Sequence, residues 1–374
     1  MKTARLTLYA LLFASLAWTA CNDDDEREPL NIPSAYDGAN FNANTATEAG
    51  VRQSLTNLVN EAKKGRTAGV QVPFANLNQL YNQAGNPTLV SITTPYYAGR
   101  LNGASGFLQE LANASGTAYV PGPPTGQGGV FADYLFDENG LEMEQMIEKG
   151  LFAAMLYKHF NELTHSTITD ATVDRMLSIF GAHPDFPNSY QASKHANPDV
   201  FSANYAARRD KNDGNGFYTR IRDQFIKLQA AVRAGSDYNR ERDEAIEEIR
   251  SLLEKSSAAT VINYCYATIS RLSATNPTDA DKGAALHAYG EAVGFMHGWR
   301  TAEHKTITDA QIDEVLILLN APYNGTPTSY TFVTDPVNQL PKLTEVINRL
   351  ADIYDFSATE LEDFKQNWVT VQNR

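Results

Sequence analysis

Two pairs of side chains in this chain have the spacing of a metal site. His159 and Glu162 stand at i and i+3, His287 and Glu291 at i and i+4, so on a helix each pair projects from one face. Imidazole nitrogen with carboxylate oxygen suits a divalent first-row cation, and helical bundles build such centres from facing His and Glu side chains. His159, Glu162, His287 and Glu291 are therefore the expected metal ligands, provided the two helices meet. The competing explanation for each pair is a buried or capping hydrogen bond. His297 and His304 share a face with each other, but at about 100° per residue they lie roughly 80–100° around the helix from His287.

Catalytic arrangements are scarce by comparison. The chain contains no His-Glu-x-x-His segment, no Gly-x-Ser-x-Gly turn and no phosphate-cradling glycine loop. The run Asp210-Lys211-Asn212-Asp213-Gly214 opens like a calcium loop. Its fifth, sixth and twelfth positions are Gly214, Asn215 and Ile221, where that loop needs an acid or amide, a glycine and a glutamate. It reads as a solvated linker, and no catalytic residue is assigned.

The elements that must carry these groups are helical. Apolar residues recur at helical spacing over 47–62, 77–83, 106–112, 141–163 and 170–180, and again over 218–234, 239–274, 282–303, 309–319, 337–354 and 358–371. Strand alternation is confined to short stretches at 88–93 and 329–333. The pattern predicts an all-α fold. Residues 115–129 hold Pro121, Pro123 and Pro124 among glycines, which predicts an irregular loop. Cys265 falls among Ile262, Ile269 and Leu272, the setting of a buried, inert thiol.

One motif occurs twice. Thr167-Ile168-Thr169-Asp170-Ala171 returns as Thr306-Ile307-Thr308-Asp309-Ala310, and His165 aligns with His304 without a gap. In each copy a threonine is placed to cap a helix, with an aspartate in the first turn where the helix dipole favours it. The repeat predicts two related helical bundles, 46–210 and 211–374, from an internal duplication.

The amino terminus predicts an address. Lys2 and Arg5 precede an apolar run to Ala17, and Cys21 is followed by Asn22-Asp23-Asp24-Asp25-Glu26. This is the form of a secretory signal over residues 1–20, with cleavage before Cys21, lipidation of its thiol, and a flexible tether over 21–45. The expected location is the outer membrane or cell surface, with the lipid on Cys21 as the membrane contact. A formal net charge of −13 repels phosphate backbones and argues against nucleic acid as a partner.

The segment Asp174-Arg175-Met176-Leu177-Ser178-Ile179-Phe180-Gly181-Ala182-His183-Pro184-Asp185-Phe186-Pro187, with His287-Ala288-Tyr289-Gly290-Glu291-Ala292-Val293-Gly294-Phe295, resembles an uncharacterised family of Bacteroidota surface lipoproteins that is similar to the imelysin-like proteins. That resemblance implies a duplicated helical bundle and an association with iron uptake. The imelysin hallmark, Gly-x-His-x-x-Glu, is not reproduced: Gly181-Ala182-His183 is followed by Pro184, Asp185 and Phe186, and the His159–Glu162 pair has Tyr157 in place of the glycine. The expected function is a lipid-anchored binding protein for iron, an iron-containing ligand or another divalent metal. The alternatives are a metal-dependent peptidase or hydrolase of imelysin type and a non-catalytic accessory subunit of an outer-membrane transporter.

Overall fold

The computed structural model describes residues 27–374; the expected signal peptide and Cys21 lie outside the described residues. Helix accounts for 61% and strand for 3%, so the fold is all-α. In chain order the main helices are α1 (Ala46–Lys63), α2 (Phe74–Asn82), α3 (Pro95–Asn102), α4 (Phe107–Ala114), α5 (residues 143–163) and α6 (Asp170–Phe180). They continue as α7 (Phe201–Arg208), α8 (Phe217–Ala234), α9 (Asn239–Leu272), α10 (Asp279–Gly298), α11 (Asp309–Leu318) and α12 (Pro336–Tyr354). A short antiparallel hairpin, β1 (Gly129–Phe131) and β2 (Tyr134–Phe136), follows the proline-rich loop.

Helix existence follows the apolar period closely, and the differences have local causes. The expected 282–303 helix stops at Gly298, because Thr301 and His304 adopt left-handed backbone angles, φ 65° and 52°, that no α-helix accommodates. The expected 358–371 helix is split into Ala358–Asp363 and Trp368–Val371. Residues 90–92 and 331–334, read as extended, are short helical turns. Both repeated motifs do cap their helices. Thr169 Oγ1 accepts from Thr172 N at 3.3 Å and Thr308 Oγ1 from Gln311 N at 3.2 Å, each in a reciprocal capping box.

Two expectations about domains are corrected. A single continuous core contains Leu55, Ile147 and Phe180 together with Ile249, Val293 and Leu316, so the boundary at 210/211 does not divide two cores. Residues 27–45 are not a free tether, because Tyr36 and Phe41 are buried anchors. The Tyr36 hydroxyl donates to Asp174 at 2.6 Å and Asn44 donates to the other oxygen of Asp174 at 2.7 Å.

The core is organised by α5 and α10, which pack with their backbones nearly touching. Gly290, Gly294 and Gly298 repeat at four-residue spacing along one face of α10. A Cβ at Gly294 would lie 2.4 Å from the Gln145 carbonyl oxygen, and one at Gly298 only 2.3 Å from that of Gly150. Gly290 opposes Glu142, with 3.3 Å from a built Cβ to the Glu142 Cβ. The partners 142, 145 and 150 rise with 290, 294 and 298, so the two helices run parallel. Midway along α5, residues Phe152–Tyr157 form a π-helical segment, where the Ala154 carbonyl accepts the Thr94 N–H at 2.8 Å and ties α5 to the start of α3.

Alanine at an ordinary helical glycine gains up to about 1 kcal/mol, but at Gly298 the obstructing atoms are backbone and cannot rotate away. We expect Gly298→Ala to destabilise the protein by about 1–3 kcal/mol. Gly99→Ala, where a Cβ meets nothing within 4 Å, should be neutral or stabilising. Thermal unfolding of the two variants checks the contrast.

Candidate metal centre

The structure places His287 and Glu291 in a buried ion network rather than at an open metal site. His287 Nδ1 lies 2.6 Å from Glu142 Oε2, and its ring stacks on Tyr134 at 4.4 Å between centroids. Its Nε2 is 3.7 Å from Glu291. Arg66 holds Glu142 at 2.9 Å and Glu144 at 2.5 Å. Lys149 reaches Glu148 at 2.9 Å and Glu291 at 3.4 Å, and the Tyr205 hydroxyl donates to Glu291 at 3.1 Å. Burial opposes protonation of His287, but the Glu142 and Glu291 carboxylates outweigh it and raise its pKa above the ordinary imidazole value. Burial likewise works against the Lys149 ammonium, and Glu148 and Glu291 overcome it. A metal ligand must present a free lone pair; His287 instead offers protons to carboxylates already balanced by Arg66 and Lys149.

His159 and Glu162 sit in a second network of the same kind. His159 Nε2 is 3.3 Å from Glu48 Oε1 and its Nδ1 is 3.5 Å from Glu162 Oε2. Arg175 approaches the same Glu48 oxygen at 2.7 Å, and Lys158 pairs with Glu162. Burial raises the Glu48 pKa, yet the hydrogen bonds from His159 and Arg175 more than offset it and hold the carboxyl below its usual value.

The two pairs are far apart. His287 touches Glu142, at the start of α5, whereas His159 lies near the end of the same helix. Seventeen residues at a rise of 1.5 Å put about 25 Å between the two levels. Metal–ligand bonds of about 2 Å cannot bridge that span. The expected centre of His159, Glu162, His287 and Glu291 therefore does not assemble; both pairs are structural ion networks.

A different set of donors does converge. His165, Glu303 and His304 each offer one ligand atom, and these atoms lie within 4.8 Å of one another; this is the one such group among the described residues. The parallel packing of α5 and α10 explains the meeting: α10 ends at Gly298 beside Gly150, and the segment that follows continues alongside the second half of α5, where Tyr157 meets the His304 carbonyl, toward His165. One face of α9 then fixes both loops. Arg250 donates to Asn161 Oδ1 at 2.8 Å and to Thr164 Oγ1 at 2.9 Å. One turn further on, the buried Glu254 accepts the Thr306 and Ile307 N–H groups at 2.7 and 2.8 Å, and the Tyr354 hydroxyl at 2.9 Å. The Tyr157 hydroxyl donates to the His304 carbonyl. His304 adopts a left-handed backbone conformation, and all three ligand side chains are exposed.

Two imidazoles and a carboxylate leave coordination positions open for water or for a donor from a partner, the pattern suited to Fe(II), Zn(II) or Co(II). Ligand atoms around such an ion stand about 3–3.5 Å apart, a contraction that exposed side chains reach by rotation. Sequence reasoning missed Glu303, which it placed inside the 282–303 helix, and read His304 as sharing a face with His297. The available signal was the gapless alignment of His165 with His304 across the repeat.

The His287 network carries a pH signature. A histidine whose folded pKa is raised contributes stability that is complete below about 6.5 and is lost as pH rises through the folded value. His287→Gln should therefore cost more stability at pH 6 than at pH 9 in denaturant titrations. An equal cost at both would show that His287 is not the charged partner of Glu142. No family model, curated protein or solved structure matches this chain.

Proposed function

We infer that this protein is a lipid-anchored, non-catalytic binding protein that captures a divalent first-row metal, iron being the leading candidate, at His165, Glu303 and His304. One observation carries the reading: three donors from two loops far apart in sequence converge within 4.8 Å. Exposure suits capture and release rather than permanent structural coordination, since a closed site is buried and fully ligated by protein. The acidic surface implied by a net charge of −13 favours the approach of cations. Anchorage through Cys21 would hold the site at the membrane, where a transporter could take up the captured ion.

Titration of the purified protein with Co(II), followed by its visible absorption, and with Zn(II) by calorimetry tests the site. We expect one ion per chain and at least about tenfold weaker binding in His165→Ala and in His304→Ala, a loss of about 1.4 kcal/mol or more. His159→Ala and His287→Ala should bind as the parent does. Unchanged binding in both loop variants would sink the proposal. Independently, Cys21→Ala should move the protein from the membrane to the soluble fraction of expressing cells; membrane retention would refute the lipid anchor.

A further inference from the structure

A second site is suggested by a cleft of about 420 Å³ that shares no lining residue with the histidine cluster. It opens between α3, α4, the start of α5 and the 322–327 loop. Its volume falls in the range of small-molecule sites, about 300–1,000 Å³. Phe107, Met143, Met146 and Val293 supply its apolar lining, and Arg100, Glu110 and Glu138 are charged groups in the same lining.

The charged groups are notable for what they do not bind. Among the described residues, the Arg100 guanidinium makes no hydrogen bond or ion pair, and its Nε is buried without a partner. The guanidinium is held over the Phe107 ring, 5.1 Å from the centroid, so it is positioned without being neutralised. The Glu110 and Glu138 carboxyls likewise have no hydrogen-bonding or ion-pair partner among the described residues. Burial first, and the neighbouring Glu138 charge, raise Glu110 to about 7 against the opposing pull of Arg100. Asp137, which also lines the cleft, is already committed: it accepts the Asn139 and Leu141 N–H groups at 2.9 and 2.7 Å and shapes the wall. A buried donor without an acceptor costs about 1–3 kcal/mol. That cost is recovered when a bound group supplies the acceptor.

A cation and two acids that line one cleft, unpaired with each other, match a ligand with both charges. We propose that this cleft binds a small zwitterion, an amino acid or a short peptide, with its carboxylate on Arg100 and its ammonium on Glu110 and Glu138. A planar guanidinium receives a carboxylate through two parallel hydrogen bonds, and the apolar lining residues take an aliphatic side chain. A saccharide fits less well, because the Phe107 face is already covered by Arg100.

Calorimetry with L-leucine and with Leu-Leu tests this and separates a free amino acid from a peptide. Two analogues each lack one charge: 4-methylpentanoate has no ammonium and 3-methylbutylamine has no carboxylate. Binding of leucine or Leu-Leu, with either analogue at least about tenfold weaker, supports the proposal. Failure of the unmodified protein to bind either zwitterion at millimolar concentration overturns it, as does equal binding of a single-charge analogue. Arg100→Gln and Glu110→Gln should each weaken zwitterion binding by about tenfold or more. Neither removes a hydrogen bond present in the fold and both lie outside the histidine cluster, so each variant should keep a cooperative thermal transition and Zn(II) binding should match the parent. Zwitterion binding retained in both variants would assign the ligand to another site.

Discussion

The backbone contact between α5 and α10 is the constraint from which the rest of this structure follows. Three glycines at four-residue spacing remove the side chains that would hold two helices about 8–10 Å apart, and the Gly298 position meets Gly150 almost atom to atom. Because the helices run parallel, their contact sets the start of α5 against the middle of α10, where Glu142 meets His287. α10 then ends beside Gly150, and the segment after it runs on along α5 to bring Glu303 and His304 to His165.

Such close approach leaves polar side chains inside the packed layer, and the fold answers with charge pairing. Glu142, Glu144, Lys149 and Glu291 are nearly inaccessible, and an isolated buried charge would cost several kcal/mol. Arg66, Lys149 and His287 supply the compensating cations. Histidine beside glutamate is thus used here as a neutralised structural pair. The same logic governs Glu48, with His159 and Arg175. The chemistry that suggested a metal site is present, but its lone pairs and charges are spent on folding.

The loops gain definition from a third element. Arg250 and Glu254, one turn apart on α9, fasten the segment after α5 and the segment after α10 respectively. A rigid helix therefore helps to set the separation of the two loops, together with the contact of Tyr157 on α5 with the His304 carbonyl. By contrast, Arg100, Glu110 and Glu138 in the cleft between α3, α4 and the 322–327 loop have no hydrogen-bonding or ion-pair partner among the described residues, unlike the groups of the two ion networks.

Helix positions were legible because a 3.6-residue apolar period is local information: α6, α8, α9 and α12 begin and end within a residue or two of where their apolar stripes do. The threonine caps at 169 and 308 were legible for the same reason, since a capping box is completed within four residues. Short helices such as α3 and α7 carry too few apolar turns to register a period. The pairing of His159 with Glu162 and of His287 with Glu291 was also correct locally, for each pair does share a helix face. Whether the pairs meet depends on helix direction and register, which are decided by contacts some 150 residues apart. Local spacing thus determined which residues lie together on each helix. Only the parallel glycine-mediated packing decided which of them face one another, because a contact between distant segments has no counterpart in the period of either one.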